Sequence, residues 1–66
     1  MNIYLNGEAR QLPEQYTAAQ LVEDLGLSGK RIAMEVNREI IPRSSYASHV
    51  LQQEDKVEIV HAIGGG

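Results

Sequence analysis

Val57-Glu58-Ile59-Val60-His61-Ala62-Ile63-Gly64-Gly65-Gly66 closes the chain, and this stretch decides how the fold is interpreted. Its β-branched residues indicate a strand, whereas glycines have maximal backbone freedom and little tendency to continue one. We expect a rigid body that ends in a thin, side-chain-free tail with a terminal carboxylate, a shape that fits a narrow pocket on another protein. Because an unactivated carboxylate is a poor acyl donor, the expected chemistry is activation by a nucleotide-dependent partner, followed by transfer to a nucleophile.

Two simpler explanations of the glycine run stay open at this point. Terminal residues of most domains are poorly ordered, and a glycine-rich end need not have a role. A glycine tail can also be an expression scar. The remaining sequence has to decide between these explanations and a functional tail.

The composition of the chain argues against several classes of protein. The chain has 66 residues, 42% of them apolar, so it forms one small domain that buries about 60% of its unfolded surface. It contains no cysteine and only two distant histidines, which excludes a disulfide and argues against a metal site. A net charge of −3 without a basic run argues against nucleic-acid binding. No apolar run approaches the length of a membrane span, and the absence of cysteine agrees with a cytoplasmic location.

The first part of the chain predicts a β-hairpin. Asn6-Gly7 is the strongest short hairpin signal, because both central residues of a type I′ turn need a positive φ. On the strand before it, Ile3 and Leu5 share one face and Tyr4 lies on the other. Pro13 ends the returning strand, since proline offers no N–H to a neighbouring strand.

A short helix is predicted over Ala18 to Leu25. Thr17 and Gln20 form a capping box, in which each side chain bonds to the other residue's backbone N–H. Gly26 is well placed to end the helix. The apolar residues of this segment lie on one stripe, which needs a sheet to pack on. They are Ala18, Leu21, Val22 and Leu25.

The second half of the chain predicts three strands, over residues 31–36, 39–41 and 56–63. Asn37-Arg38 turns the chain between the first two, and Pro42 marks the short middle strand as an edge. Ser44 or Ser45 is expected to cap a single helical turn over residues 46–49.

These elements predict an α+β protein in which one main helix lies across one face of a mixed sheet of four to five strands. The first and last strands can lie side by side and parallel in the middle of the sheet. That arrangement is the ubiquitin-like β-grasp fold. Residues 1–63 then form the domain, and residues 64–66 form a flexible tail released from a central strand.

No catalytic constellation is visible. Serines lie close to His49 in the sequence, but such a cluster caps helical turns more often than it catalyses. His61 is interpreted mainly as an exposed strand residue, although histidine titrates near neutral pH and is common in sites. The glycine run is not a phosphate cradle, since no helix follows it.

The outer face of the predicted sheet offers a candidate docking surface. If the apolar faces of the first and last strands point to the helix, the period of two turns Tyr4 and Val60 the other way. On adjacent strands they would form a small apolar patch, joined by Ala33 and Ala62 and continued by Ile63. Scattered exposed apolar residues are common, but a patch beside a flexible tail is the layout expected of a docking protein.

Four stretches of the chain match one known family. They are Ile3-Tyr4-Leu5-Asn6-Gly7-Glu8, residues 17–27, Val36-Asn37 with Glu39-Ile40-Ile41-Pro42-Arg43, and residues 57–66. Together they resemble the ThiS-type sulfur carrier proteins of thiamin biosynthesis. Many ubiquitin-like proteins end in Gly-Gly, so the short length, Ile41-Pro42-Arg43-Ser44 and the terminal Ala62-Ile63-Gly64-Gly65-Gly66 make the likeness specific only in combination.

The resemblance implies a β-grasp carrier that is not an enzyme and binds no metal or cofactor. A ThiF-type, E1-like adenylyltransferase would use Mg-ATP to adenylate the carboxylate of Gly66, with Gly64 and Gly65 threaded into its active site. A persulfide donor enzyme would convert the acyl-adenylate to a thiocarboxylate. A ThiG-type thiazole synthase would then take the sulfur for the thiazole ring.

The chain departs from the family pattern in two turns. Pro13-Glu14-Gln15 and Gln53-Glu54-Asp55 both lack a glycine that is expected there, so Gln15 is predicted to adopt a conformation that costs some strain. Asp55 is expected to shape the second turn. Arg43 matches the family pattern, and a surface contact with the activating enzyme is a hypothesis for it.

Other uses of the same architecture stay open. A MoaD-type sulfur carrier for molybdopterin synthesis has the same fold and tail, although such proteins tend to be longer. Sulfur donation in tRNA thiolation or cysteine synthesis is a further possibility. A ubiquitin-like interaction module or covalent modifier belongs to another class, and a pure binding module would keep its function without Gly65 and Gly66.

Overall fold

The computed structural model describes residues 1–62. Within this range the elements are β1 (Asn2–Leu5), β2 (Glu8–Gln11), α1 (Ala18–Asp24), β3 (Ile32–Val36), β4 (Glu39–Ile41), a 3-10 helix (Arg43–Ser45) and β5 (Lys56–His61). Ile63 and the glycine run lie outside the described residues. The predicted boundary between domain and tail therefore stays a prediction.

The five strands form one mixed sheet in the order β2-β1-β5-β3-β4. Strands β1 and β5 are parallel, and the β1–β2, β3–β4 and β3–β5 pairs are antiparallel. The first and last strands are thus neighbours inside the sheet, as the sequence predicted. This topology confirms the predicted α+β arrangement.

The core lies between α1 and one face of the sheet. Ile32, Met34 and Val36 of β3 are buried, and so are Ala18, Leu21 and Val22 of α1. Burial of this apolar surface is the main source of stability for a chain without disulfides. The side chains with less than 2% exposure and the largest volumes are Ile3, Leu21, Met34, Leu51 and Val57.

Both hairpins turn where the sequence predicted. Asn6 and Gly7 have φ of 49° and 85°, and Asn37 and Arg38 have φ of 52° and 70°. Positive φ at both central residues is what a type I′ turn requires. Gln15 also has a positive φ of 60°, which confirms the conformation expected from the missing glycine.

The caps of α1 follow the predicted pattern. The backbone N–H of Gln20 donates to Thr17 Oγ1 at 3.1 Å, and the N–H of Thr17 donates to Gln20 Oε1 at 2.8 Å. At the other end the helix stops at Asp24, one residue earlier than predicted. The N–H of Gly26 donates to the Glu23 carbonyl at 3.0 Å, with Gly26 at a φ of 71°, a glycine stop of the Schellman type.

The chain begins to coil after β4 earlier than predicted. A 3-10 helix spans Arg43–Ser45, and Pro42 precedes it without any side-chain cap. The predicted helical turn over residues 46–49 follows directly, since the N–H groups of Ser48 and His49 donate to the Ser45 carbonyl at 3.1 and 2.9 Å. The proline φ of −63° already suits a helical start, and the N–H of Ser45 donates to the Pro42 carbonyl at 2.9 Å. The chain therefore begins to coil before either serine can act as a cap. The buried side chain of Tyr46 then attaches the segment to the core.

Candidate functional site

Strand β5 carries the chain from the core of the sheet toward the glycine run. It pairs with β3 from Val57 opposite Val36 to His61 opposite Ile32. The N–H of Ala62 then donates to the Arg31 carbonyl at 2.9 Å. The last described residue is thus bonded to the sheet, and the glycine run begins two positions later in the sequence.

Asn6 extends the pairing on the other side of β5. Backbone register between β1 and β5 ends at Leu5 opposite Val57, because the chain turns at Asn6. The N–H of Ile59 donates to Asn6 Oδ1 at 2.9 Å, and Asn6 Nδ2 donates to the Ile59 carbonyl at 3.2 Å. The side-chain amide replaces a further strand residue. Sequence reasoning assigned Asn6 to the turn alone, since it could not show which strand lies beside that turn.

Asn37 holds the beginning of β5 from the opposite edge. Its N–H donates to the Lys56 carbonyl at 2.8 Å, and its Oδ1 accepts from the N–H of Lys56 at 3.0 Å. Its Nδ2 donates to Oδ1 of the buried Asp55 at 2.9 Å. Asp55 Oδ2 accepts from the N–H of Gln52 at 2.8 Å, which confirms that Asp55 shapes the turn before β5.

Tyr4 and Val60, the aromatic and the aliphatic docking candidate, both lie on the outer face of the sheet, but they are not adjacent. Tyr4 is 38% and Val60 59% exposed. Tyr4 is in register with Lys56, and Val60 lies four residues further along β5, about 13 Å away at 3.3 Å per residue. The prediction of a single Tyr4–Val60 patch is therefore wrong. Alternation along a strand determines which face of the sheet a residue is on, but not which residue of the neighbouring strand lies beside it.

Val60 instead belongs to an apolar group on the neighbouring strands. Ala33 lies directly opposite Val60, and Ile40 of β4 is in register with Glu35, the next outward residue of β3. Ile40 is 72% exposed. We call Ala33, Ile40 and Val60 the outer-face patch. Sequence reasoning missed Ile40 because Ile40 and Ile41 are consecutive, and only the register of the Asn37 turn decides which one faces outward.

Arg43 has a partner inside the chain. Its Nη2 donates to the backbone carbonyl of Lys30, which joins the 3-10 helix to the loop before β3. The guanidinium itself is exposed. This bond gives Arg43 a structural role that the sequence did not indicate, and its contact with an activating enzyme stays a prediction.

His61 is exposed at the end of β5, in agreement with its interpretation as a strand residue. Across residues 1–62, no three side chains among His, Asp and Glu come together in a geometry for a metal ion. None of the helices in the same range has the length and apolar character needed to cross a bilayer.

Comparison with known proteins decides the family. The model of the ThiS family matches residues 3–66, which is nearly the whole chain and includes the glycine run. The chain belongs to the ThiS family. The resemblance predicted from the sequence is confirmed.

Two relatives of similar length to this ThiS-family chain are named as sulfur carriers. It is 32% identical to the sulfur carrier protein ThiS of Escherichia coli K12 over 66 residues, which is 100% of both chains. It is 34% identical to the sulfur carrier protein ThiS of Bacillus subtilis 168 over 65 residues, 97% of this chain and 98% of that one. Both names agree with the prediction of a carrier and not an enzyme.

A larger relative is a thiazole synthase of Paramagnetospirillum magneticum, 42% identical over all 66 residues of the chain. A thiazole synthase of Magnetococcus marinus is 39% identical over the same length. This chain spans 20% of the length of each of these two proteins. A region similar to the ThiS-family chain therefore occurs within a longer protein.

The fold agrees with a solved structure of the family. The crystal structure of the thiamine biosynthesis protein ThiS from Geobacter metallireducens superposes with a TM-score of 0.86 at 25% identity and covers 100% of both chains. The likeness confirms the β-grasp fold.

Proposed function

We propose that this ThiS-family chain carries sulfur as a thiocarboxylate on Gly66. The observation that carries the proposal is the family match over residues 3–66, which includes the glycine run. The chain has no cysteine, so it offers no thiol on which sulfur could be held. The C-terminal carboxylate is the group left for that task.

The reaction requires activation, because a carboxylate has no good leaving group. A ThiF-type adenylyltransferase uses Mg-ATP, and a Gly66 carboxylate oxygen attacks the α-phosphorus while pyrophosphate leaves. The terminal sulfur of a persulfide donor then attacks the acyl carbon, and AMP leaves. Two-electron reduction of the remaining S–S bond by a thiol releases the thiocarboxylate. In this scheme the chain is a co-substrate of enzymes in the cytoplasm.

The chain's own contribution is to present the tail. Hydrogen bonds from Asn6 and Asn37 hold β5 from both sides, and Ala62 is bonded to the sheet. Gly64 and Gly65 have no side chain to collide with the walls of a narrow channel. We propose that Val60, Ala62 and Ile63 contact the partner around the mouth of that channel, with Tyr4 at the far end of the same face.

We propose a ThiG-type thiazole synthase as the sulfur acceptor. A region similar to the whole chain occurs in two thiazole synthases. Joining a carrier to its acceptor raises the effective concentration of one for the other, so this arrangement supports a working pair. The same observation favours thiazole formation over molybdopterin synthesis.

Sulfur transfer from the loaded chain tests the acceptor. The thiocarboxylate form, labelled with radioactive sulfur, is incubated with a ThiG-type synthase and its substrates, and separately with a molybdopterin synthase subunit and its precursor. We expect label in the thiazole product alone. Label in molybdopterin alone would contradict the proposal and indicate a MoaD-type carrier. Chain incubated without ATP serves as the unloaded control.

A further inference from the structure

Two carboxylates oppose each other on the outer face of the sheet. Glu35 of β3 is in register with Glu58 of β5. Both alternate with buried residues, so they share the face that points away from the core. The Cβ atoms of directly opposed residues lie about 5 Å apart, and like charges in that relation destabilise a sheet.

Direct ion pairing within residues 1–62 does not relieve this repulsion. The ion pair found there joins the N-terminal ammonium to Glu14 at 3.3 Å. Lys56 shares the outer face but lies two positions along β5 from Glu58, and it makes no ion pair within 4.0 Å in the described chain. Arg38 and Lys56 line the same depression of the sheet surface as Glu58, but within the described residues neither forms an ion pair with Glu35 or Glu58.

The outer-face patch borders the two carboxylates. Ile40 is in register with Glu35 on one side, and Val60 follows Glu58 at the next outward position of β5. A partner that covers the patch would remove water from around the carboxylates. A cation held there would form charge-assisted hydrogen bonds in a partly desolvated setting, where such bonds are strongest.

We propose that Glu35 and Glu58 together receive a basic side chain of the protein that activates the tail. Arginine suits the position best, because its planar guanidinium has five donors and can serve both carboxylates at once. The apolar surface around that cation packs on Ile40 and Val60. This inference rests on the proposed function, since it assumes a protein partner that engages the tail.

The length of the tail limits where the basic side chain can lie on the partner. Gly66 lies four positions after Ala62, the last described residue. A chain of four residues spans at most about 14 Å when fully extended. The docked body must therefore lie beside the entrance to the nucleotide site, and the basic side chain belongs to that rim and not to a distant domain.

The test uses substitutions that keep shape and remove charge. Glu35→Gln, Glu58→Gln and the double variant are compared with Glu23→Gln, a control on the exposed side of α1. The readouts are pyrophosphate release by a ThiF-type enzyme with Mg-ATP and the urea midpoint of the free chain. We expect KM for the chain to rise about fivefold for each single variant, with kcat within about twofold, because a charge-assisted contact at a partly exposed site is lost.

Each of the Glu35 and Glu58 substitutions should stabilise the free chain and, at the same time, weaken its binding to the activating enzyme. Removing either charge relieves like-charge repulsion, so the urea midpoint of the free chain should rise while KM rises too. A fall in midpoint that accompanies the KM change would identify a structural defect and overturn the proposal. An unchanged KM, with the unaltered chain adenylated normally, would overturn the docking inference and leave the proposed function intact. Absence of any adenylation of the unaltered chain would overturn both.

Discussion

The side-chain amide of Asn6 bonds to both backbone groups of Ile59, at 2.9 and 3.2 Å. It keeps β5 paired two residues beyond the last register pair with β1, at Val57. On the other side of β5, Asn37 bonds to both backbone groups of Lys56, through its side-chain Oδ1 and its own backbone N–H. Two turn asparagines thus hold the strand from which the chain continues to its glycine run.

Replacing Asn6 tests this role. Asn6→Gly keeps the freedom to adopt a positive φ but loses both side-chain hydrogen bonds, so we expect a loss of about 1–2 kcal/mol in the free energy of unfolding. Asn6→Asp should cost at least as much, because a carboxylate would face the Ile59 carbonyl. Urea denaturation measures both variants. The Ile59 amide should exchange its hydrogen faster in each, and an unchanged exchange rate would show that the amide pairing does not hold β5.

Asp55 is the buried acceptor beneath the Asn37 turn. Asp55→Ala leaves the Asn37 Nδ2 and the Gln52 N–H without their acceptor, so we expect a loss of about 2–3 kcal/mol in the free energy of unfolding. Asp24→Ala, at an exposed helix end, is the matched control and should change it by no more than about 0.5 kcal/mol. Equal urea midpoints for the two variants would contradict the assigned role.

Local signals predicted most of the fold. Asn6-Gly7, the Thr17–Gln20 capping box and the alternation of β3 each specify their element through residues close in sequence, and all three are present. The 3-10 helix over Arg43–Ser45 was not predicted, because the chain begins to coil directly at Pro42 and without a serine cap.

Long-range register could not be predicted in the same way. A period of two assigns Tyr4 and Val60 to a face, but the pairing of Tyr4 with Lys56 depends on contacts across the whole sheet. For the same reason the sequence did not reveal the Glu35–Glu58 pair or the Asn6–Ile59 bonds. The glycine run, in contrast, could be identified directly in the sequence, because recognising it does not require knowing which strands pair.

Gln15 offers a stabilising substitution. Its φ of 60° costs a residue with a Cβ roughly 1–2 kcal/mol, whereas glycine loses about 0.5–1 kcal/mol through the greater freedom of the unfolded chain. Gln15→Gly should therefore raise the free energy of unfolding by up to about 1.5 kcal/mol. Gln15→Ala retains the Cβ and should bring no gain. A glycine variant no more stable than the alanine variant in urea would refute the strain argument.

Substitution of Arg43 can distinguish a structural role of this residue from a role in docking. Arg43→Ala loses the bond to the Lys30 carbonyl, and we expect the free energy of unfolding to fall by about 1 kcal/mol. If the guanidinium acts only within the chain, the KM for adenylation stays unchanged below the melting temperature. Arg43→Lys is the control that retains the charge. A KM that rises for alanine and recovers with lysine would instead establish contact with the activating enzyme.

The most direct test is the mass of the intact chain after incubation with a ThiF-type enzyme, Mg-ATP and a persulfide donor, mapped to the C-terminal peptide. Mapping is essential, because oxidation of Met1 or Met34 shifts the mass almost as sulfur replacing oxygen does. A chain lacking Gly66 should fold normally and stay unmodified, since its carboxylate falls one residue short. We predict a thiol-reactive shift confined to the peptide that ends in Gly66. No shift there, while a competent carrier is converted in parallel, would contradict the sulfur-carrier assignment and favour an interaction module.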